Sequence, residues 1–305
     1  FLWQLEPQSS AYNSPAALKF TGALDIAALQ RSFESLIARH ETLRTTFRLE
    51  GEQTVQVIHP HMPFELVVEA VEATAPSGVC ASLEDEAQQP FDLEHGPLMR
   101  ARLLQLGAQE HVLTLTLHHI VADGWSLPVM VDDLVRLYEG YSQGRDVLLP
   151  TLAIQYADYA AWQRGEYLRS AACANSATYW QDYLGTPLPT LDMPVDVARS
   201  EQHRHPAGQH DLRLPAELCA HLNRFCQQQG LTPFVVALGA WQLLLSRYSG
   251  QQDFTVGVPN ATRNRSETQE LVGCFVSSQV YRVRIDPLLP ARDFLQRLRR
   301  ESMAA

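Results

Sequence analysis

The run Val112-Leu113-Thr114-Leu115-Thr116-Leu117 passes directly into His118-His119-Ile120-Val121-Ala122-Asp123-Gly124, and no other stretch constrains the fold so tightly. Alternation with period two predicts a strand in which Leu113, Leu115, Leu117 and His119 share one face while His118 takes the other. Behind the glycine, Leu127, Met130, Val131, Leu134, Leu137, Tyr138 and Tyr141 recur at helical spacing, with Ser126 placed to cap that helix. The chain must therefore turn from strand to helix at this corner, with Gly124 permitting the turn. Two histidines and a carboxylate are delivered to it.

Adjacent histidines on a strand diverge, whereas metal ligands must converge, and neither HExxH nor paired CxxC spacing is present. The reading is no metal. For any two neighbouring histidines the plain structural reading is a buried, hydrogen-bonded pair. Imidazole also titrates near neutrality, so an inward His119 is suited to take a proton from an attacking amine or hydroxyl, or to hold that nucleophile by a hydrogen bond. His118, turned away by the alternation, is assigned to structure. A GxSxG nucleophile motif is absent, which argues against a covalent intermediate on serine.

The rest of the chain alternates helices and strands without repeats. Asp25 is the expected N-cap of a helix striped by Leu29, Phe33, Leu36 and Ile37. Strands are predicted over Leu43–Leu49 and Thr54–Ile58, separated by a turn at Gly51, and near Leu98–Leu106. A helix over Ala172–Leu184 precedes an extended connector, Gly185–Ser200, carrying Pro187, Pro189 and Pro194. Helices over Ala216–Gln229 and Pro233–Ser249 follow, the second with Pro233 in its first turn. Strands at Phe254–Val258 and Phe275–Ile285 and a helix from about Arg292 complete the pattern. The fold class is α/β, as α+β two-layer sandwiches. A chain of 305 residues exceeds the usual single-core size, so two lobes are expected, 1–170 carrying the histidine corner and 171–305.

With 24 basic against 34 acidic residues and no basic stripe, nucleic acid and an anionic membrane are set aside as partners. The longest apolar stretch, Phe234–Leu245, is interrupted by Gln242 and too short to span a bilayer. The start, Phe1-Leu2-Trp3-Gln4, shows no secretory pattern. Five cysteines, Cys80, Cys173, Cys219, Cys226 and Cys274, are odd in number and lack metal-like spacing, so reduced structural thiols and a cytoplasmic location are expected.

Four motifs in order resemble the condensation domain of nonribosomal peptide synthetases, within the chloramphenicol acetyltransferase-like superfamily. Arg39-His40-Glu41-Thr42-Leu43-Arg44-Thr45-Thr46-Phe47 is similar to its RHExLRTxF segment, and His118–Gly124 matches HHxxxDG in full. Tyr156-Ala157-Asp158-Tyr159-Ala160-Ala161-Trp162-Gln163 resembles YxDYAxWQ, and Val272-Gly273-Cys274-Phe275-Val276 resembles GxFVNT. The chain departs from that last block at Ser277-Ser278, where the family continues Asn-Thr, and no role is carried over to those two positions. The resemblance covers essentially the whole chain. By comparison with the family both ends look cut, leaving the second lobe incomplete.

The resemblance implies two chloramphenicol acetyltransferase-like lobes in a V-shape with a tunnel between them. It implies amide formation between a donor aminoacyl or peptidyl thioester and the amine of an acceptor aminoacyl thioester. Both would be tethered by phosphopantetheine to carrier proteins, with no cofactor bound by this domain and with adenylation domains as neighbours. His119 becomes the candidate catalytic residue, as general base or as positioning group. His118, Asp123 and Gly124 support the motif, and in this superfamily the aspartate pairs with an arginine, for which Arg44 is the choice. Trp125 and Ser126 favour a condensing type over the epimerization branch and are candidate tunnel contacts. Arg263, Asn264 and Arg265 contact a phosphopantetheine phosphate or form a solvated charge cluster. Tyr156, Asp158 and Trp162 shape the lobe interface or belong to simple core. His40 and Glu41 read as capping or packing. Two alternatives stand beside condensation: a stand-alone acyltransferase using a CoA thioester, and a non-catalytic docking or gatekeeping module.

Overall fold

The computed structural model describes residues 1–71, 76–196 and 210–304, with residues 76–80 as backbone only. The chain forms two compact units, Phe1–Cys173 with Ala261–Ser277, and Ala174–Asn260 with Ser278–Ala305. A second lobe running unbroken from 171 is therefore corrected for 261–277. Two contacts show why this segment belongs to the first unit: Thr42 Oγ1 donates to the Val272 carbonyl at 2.8 Å, and Val272 is buried in that unit's core.

The first unit begins with α1 (Leu2–Leu5), β1 (Asn13–Thr21) and α2 (Ile26–Arg39). Asp25 caps α2 as expected, its Oδ1 accepting the Ala28 N–H at 3.0 Å. The hairpin β2 (Thr45–Glu50) and β3 (Gln53–Ile58) follows, then β4 (Val67–Ala70), α3 (Pro76–Gln88), β5 (Met99–Gly107), β6 (Glu110–His118), α4 (Ser126–Tyr141) and α5 (Tyr156–Gly165). The predicted strand from Leu43 starts later, because Glu41–Arg44 is a 3₁₀ turn closed by Thr45 Oγ1 on the Glu41 carbonyl at 2.8 Å. The strand β1, broken in sequence pattern by Pro15, was not legible by periodicity, yet it pairs antiparallel with the whole length of β6.

The sheet order is β1-β6-β5-β4, with β4 parallel to β5 and the other pairs antiparallel. Leu113, Leu115 and Leu117 of β6 bury into one core with Leu29, Phe33, Leu36 and Ile37 of α2 and Met130, Leu134 and Leu137 of α4. Each such leucine contributes roughly 1.5–3 kcal/mol of burial. The opposite face of β6 is also buried at Thr114, Thr116 and His118, because α3 lies against β1 and β6. A simple apolar/polar alternation thus becomes a central strand covered on both sides.

The second unit contains α6 (Ala171–Leu184, whose first residues belong to the first unit), α7 (Ala216–Gln229), α8 (Pro233–Ser249), β7 (Asp253–Asn260), β8 (Ser277–Arg284, whose first residue belongs to the first unit) and α9 (Ala291–Ala304). Its strands pair as one two-stranded ladder. Thr232 caps α8 by accepting the Val235 N–H, and Leu231, Val235, Leu238, Tyr281, Phe294, Leu295 and Leu298 form its main core. Residues 185–196 of the predicted connector carry no helix or strand, while 197–200 lie outside the described residues. Among the described residues no single helix is long and apolar enough to cross a membrane; α7 and α8 meet that test only jointly, across a 105° bend.

Candidate active site

The strand β6 ends at His118, and the chain turns over it. Nδ1 of His118 accepts the Ile120 N–H at 3.1 Å, and its carbonyl accepts the Val121 N–H at 3.0 Å. Its ring lies edge-on to Phe91 and near Tyr12, and beside a cavity of 260 Å³ with Trp3 on its wall. Burial, and secondarily the neighbouring His119, depress the His118 pKa to about 4, so at neutral pH this ring is uncharged. His119 differs: its backbone N–H donates to the Tyr12 carbonyl at 2.8 Å, its side chain is only half-buried, and Nδ1 lies 3.6 Å from Cys274 Sγ.

Asp123 is held at 2% side-chain exposure against an equally buried arginine, and that arginine is Arg263, at 3.0 Å. The expected partner, Arg44, is elsewhere: it donates to the His59 carbonyl and to Glu41, tying the 3₁₀ turn to the end of β3. A phosphate-contacting role for Arg263 is corrected in the same stroke. Its Nη1 donates to the carbonyls of Thr268 and Leu271 at 2.6 and 2.7 Å, its guanidinium lies over the Phe275 ring, and the side chain is buried away from any ligand surface. Arg265 instead lies over Trp162 at 4.3 Å, on the wall of a cavity of 840 Å³.

Ser126 is fully buried, which removes it from any tunnel surface. It is the first residue of α4 rather than its cap: Asp123 Oδ1 takes the Ser126 N–H at 2.9 Å and the hydroxyl proton at 2.8 Å. Ser126 Oγ in turn accepts the Gly273 N–H at 3.1 Å, and Asp123 Oδ2 accepts the Phe275 N–H at 3.0 Å. Gly124 has no left-handed backbone, and a Cβ there would meet nothing within 4 Å, so the turn itself does not require glycine. Trp125, 44% exposed, donates its indole N–H to the Gln269 carbonyl at 3.0 Å.

Tyr156 joins the same structure, its hydroxyl donating to the Cys274 carbonyl at 2.8 Å. Its ring sits so close to Gly273 that a Cβ there would come within 2.2 Å of it, so only glycine fits. Tyr156, Tyr159 and Trp162 are not simple core. They line the 840 Å³ cavity together with Cys274 and Phe275, and burial pushes the Tyr156 phenol up to about 12, keeping it neutral. Asp158 caps α5 by accepting the Gln155 N–H at 2.8 Å.

Comparison with known proteins shows the family. The model of the condensation domain family matches residues 1–305. The chain belongs to the condensation domain family. It is 42% identical over 309 residues to one of the linear gramicidin synthase proteins of Brevibacillus parabrevis, all of this chain covering 4% of that protein. Among solved structures, the X-domain from teicoplanin biosynthesis is 28% identical with a TM-score of 0.87, over 99% of this chain and 68% of that one. The same X-domain has been solved in complex with OxyB. The first condensation domain of the CDA synthetase, 21% identical over 99% of this chain and 72% of that one, has a TM-score of 0.82 and so shares the fold.

The residues that periodicity did not single out are Cys274, counted only as a structural thiol, and Gly273 with its tyrosine. The legible signal was the motif order: the condensation-like blocks at 118–124, 156–163 and 272–276 are the segments that converge. The described cysteines, Cys173, Cys219, Cys226 and Cys274, are unbridged, and the Cys80 side chain lies outside the described residues. Among the described residues no group of three or more histidine, cysteine or acidic side chains is gathered as a metal site. His40 and Glu41 form no pair: His40 Nε2 bonds Asp133 at 2.8 Å and Glu41 meets Arg44.

Proposed function

We propose that this chain forms an amide bond by transferring a donor aminoacyl or peptidyl group from a carrier-bound thioester to the amine of a carrier-bound acceptor. The observation that carries this reading is the contrast within the histidine pair. His118 is buried, uncharged and engaged at Nδ1 by the turn, whereas His119 is only half-buried, with its backbone and Nδ1 anchored. A thioester is already activated, so the protein needs mainly to align the reacting atoms, exclude water and manage one proton. An α-amine of pKa roughly 7.7–8 is largely protonated at neutral pH, and His119 is the group suited to hold or accept that proton. His118, Asp123, Ser126 and Arg263 hold the corner. Trp125 and Arg265 remain the candidate contacts for substrate or carrier, Arg265 on the 840 Å³ cavity.

The substrates arrive on phosphopantetheine arms of carrier domains, beside adenylation domains of the same assembly line, in the cytoplasm. The gramicidin synthase relative, which this chain matches over 4% of its length, supports that setting. The test is dipeptide formation with two aminoacyl carrier proteins, read by intact mass of the carriers. Wild-type protein transfers the donor and a folded His119→Ala variant does not. A second reading, a docking module, draws on the X-domain solved with OxyB. Absence of any dipeptide, together with stable capture of a partner by both proteins, would replace catalysis with docking.

A further inference from the structure

We propose that Cys274 is the positioning residue of His119: its sulfur receives the Nδ1–H of the imidazole, orients the ring and leaves the Nε2 lone pair for the attacking amine. This rests on the role given to His119 above. The Sγ to Nδ1 distance is 3.6 Å, within reach of a sulfur hydrogen bond, and among the described residues no other group bonds to Nδ1. The partner of one ring nitrogen decides which tautomer the other presents, and a neutral imidazole protonated at Nε2 has no lone pair there to accept a proton.

Cys274 is not a loosely placed side chain. The backbone on either side is pinned by Gly273 N–H on Ser126 Oγ and Phe275 N–H on Asp123 Oδ2, and its own carbonyl accepts from Tyr156. The residues that clamp Cys274 are thus the Asp123 and Ser126 that shape the histidine corner, with Arg263 neutralising the carboxylate. Sulfur and imidazole belong to one assembly, which explains a function for the Asp123 knot beyond loop shape. Among the described residues, the other titratable or charged groups around the pair are His118, Asp123, Arg263 and Tyr156. Burial, and then Asp123, raise the thiol above its ordinary value, so it stays protonated and offers a neutral sulfur rather than a competing base.

The experiment measures dipeptide formation by the intact protein with Cys274→Ala, Cys274→Ser and His119→Ala, across pH. The alanine variant is expected to lose about three- to tenfold in kcat, the loss of one modest hydrogen bond, with KM for the acceptor unchanged. The acid limb of its kcat profile should move to lower pH, since an acceptor at Nδ1 favours the protonated ring. Serine, which also accepts, should restore most of the rate. Long-range ¹⁵N–¹H spectra of wild-type protein should show His119 protonated at Nδ1, which decides the matter even if the alanine variant does not fold. Unchanged kcat and pH profile in a folded alanine variant, or an Nε2-protonated ring in the wild type, overturns the proposal. If His119→Ala itself retains full activity, it is the functional reading that falls.

Discussion

Two buried knots in the first unit use the same residue types to opposite ends. At the end of α2, His40 and Arg39 share the carboxylate of Asp133, at 2.8 and 2.9 Å, and His40 is 1% exposed. At the end of β6, the carboxylate of Asp123 is taken by Arg263, Ser126 and the Phe275 N–H, and its histidine neighbour His119 is left to a thiol. The first has the geometry of a histidine–aspartate dyad and no access. The second has the sequence spacing of a dyad and none of its geometry, but its histidine reaches the surface. A carboxylate near a histidine therefore marks structure in one place and a candidate site in the other, and burial decides which.

The largest expected effect separates the two histidines. Replacing His119 with alanine should lower amide formation by about 10²- to 10⁴-fold, whereas His40→Gln should leave the rate per folded molecule unchanged and lower stability. Equal losses of rate in both, with both folded, would erase the contrast. Next come the ion pairs. Arg263→Met strands Asp123 in a dry site and should cost about 3–5 kcal/mol in denaturant unfolding, with part recovered in the Asp123→Asn/Arg263→Met double variant. Removing Arg39 should cost less, because that pair is 10–13% exposed and Asp133 keeps His40. A larger loss at Arg39 than at Arg263 would reverse the ranking.

A smaller effect, about 1–3 kcal/mol of overpacking, is expected for Gly273→Ala, whose methyl must displace the Tyr156 ring. Because Gly273 precedes Cys274, that variant should also lose rate. The last prediction concerns pH. Burial is the leading cause of a lowered pKa at both His118, to about 4, and His40, so each is uncharged in the folded state where the unfolded chain would already bind a proton. Their contribution is present above about pH 6.5 and is lost as pH falls through the folded values, toward about 4 for His118. The urea midpoint should fall across that window, and His118→Gln should flatten the slope; an unchanged slope would show that the ring is not buried neutral.

Much of the local structure was legible in sequence because it rests on short-range physics. Periodicity and caps located α2, α7, α8 and β6, with Asp25 and Pro233 where they end up. Motif order marked the segments that meet at the corner. Periodicity failed where local pattern was weak: β1 carries a proline, and Glu41–Arg44 takes a turn closed by a side chain.

What the sequence by itself determined was the strand, the turn, the helix and the histidine pair between them, since each depends on neighbours within a few residues. Only the tertiary structure decided which arginine meets Asp123, 140 residues away, and which side chain meets His119, 155 residues away. Arg44 and Arg263 offer the same chemistry on paper. The choice between them depends on which one can bury its guanidinium with both terminal nitrogens partnered, Nη1 by the Thr268 and Leu271 carbonyls and Nη2 by Asp123 and Ser126, and no local periodicity encodes that.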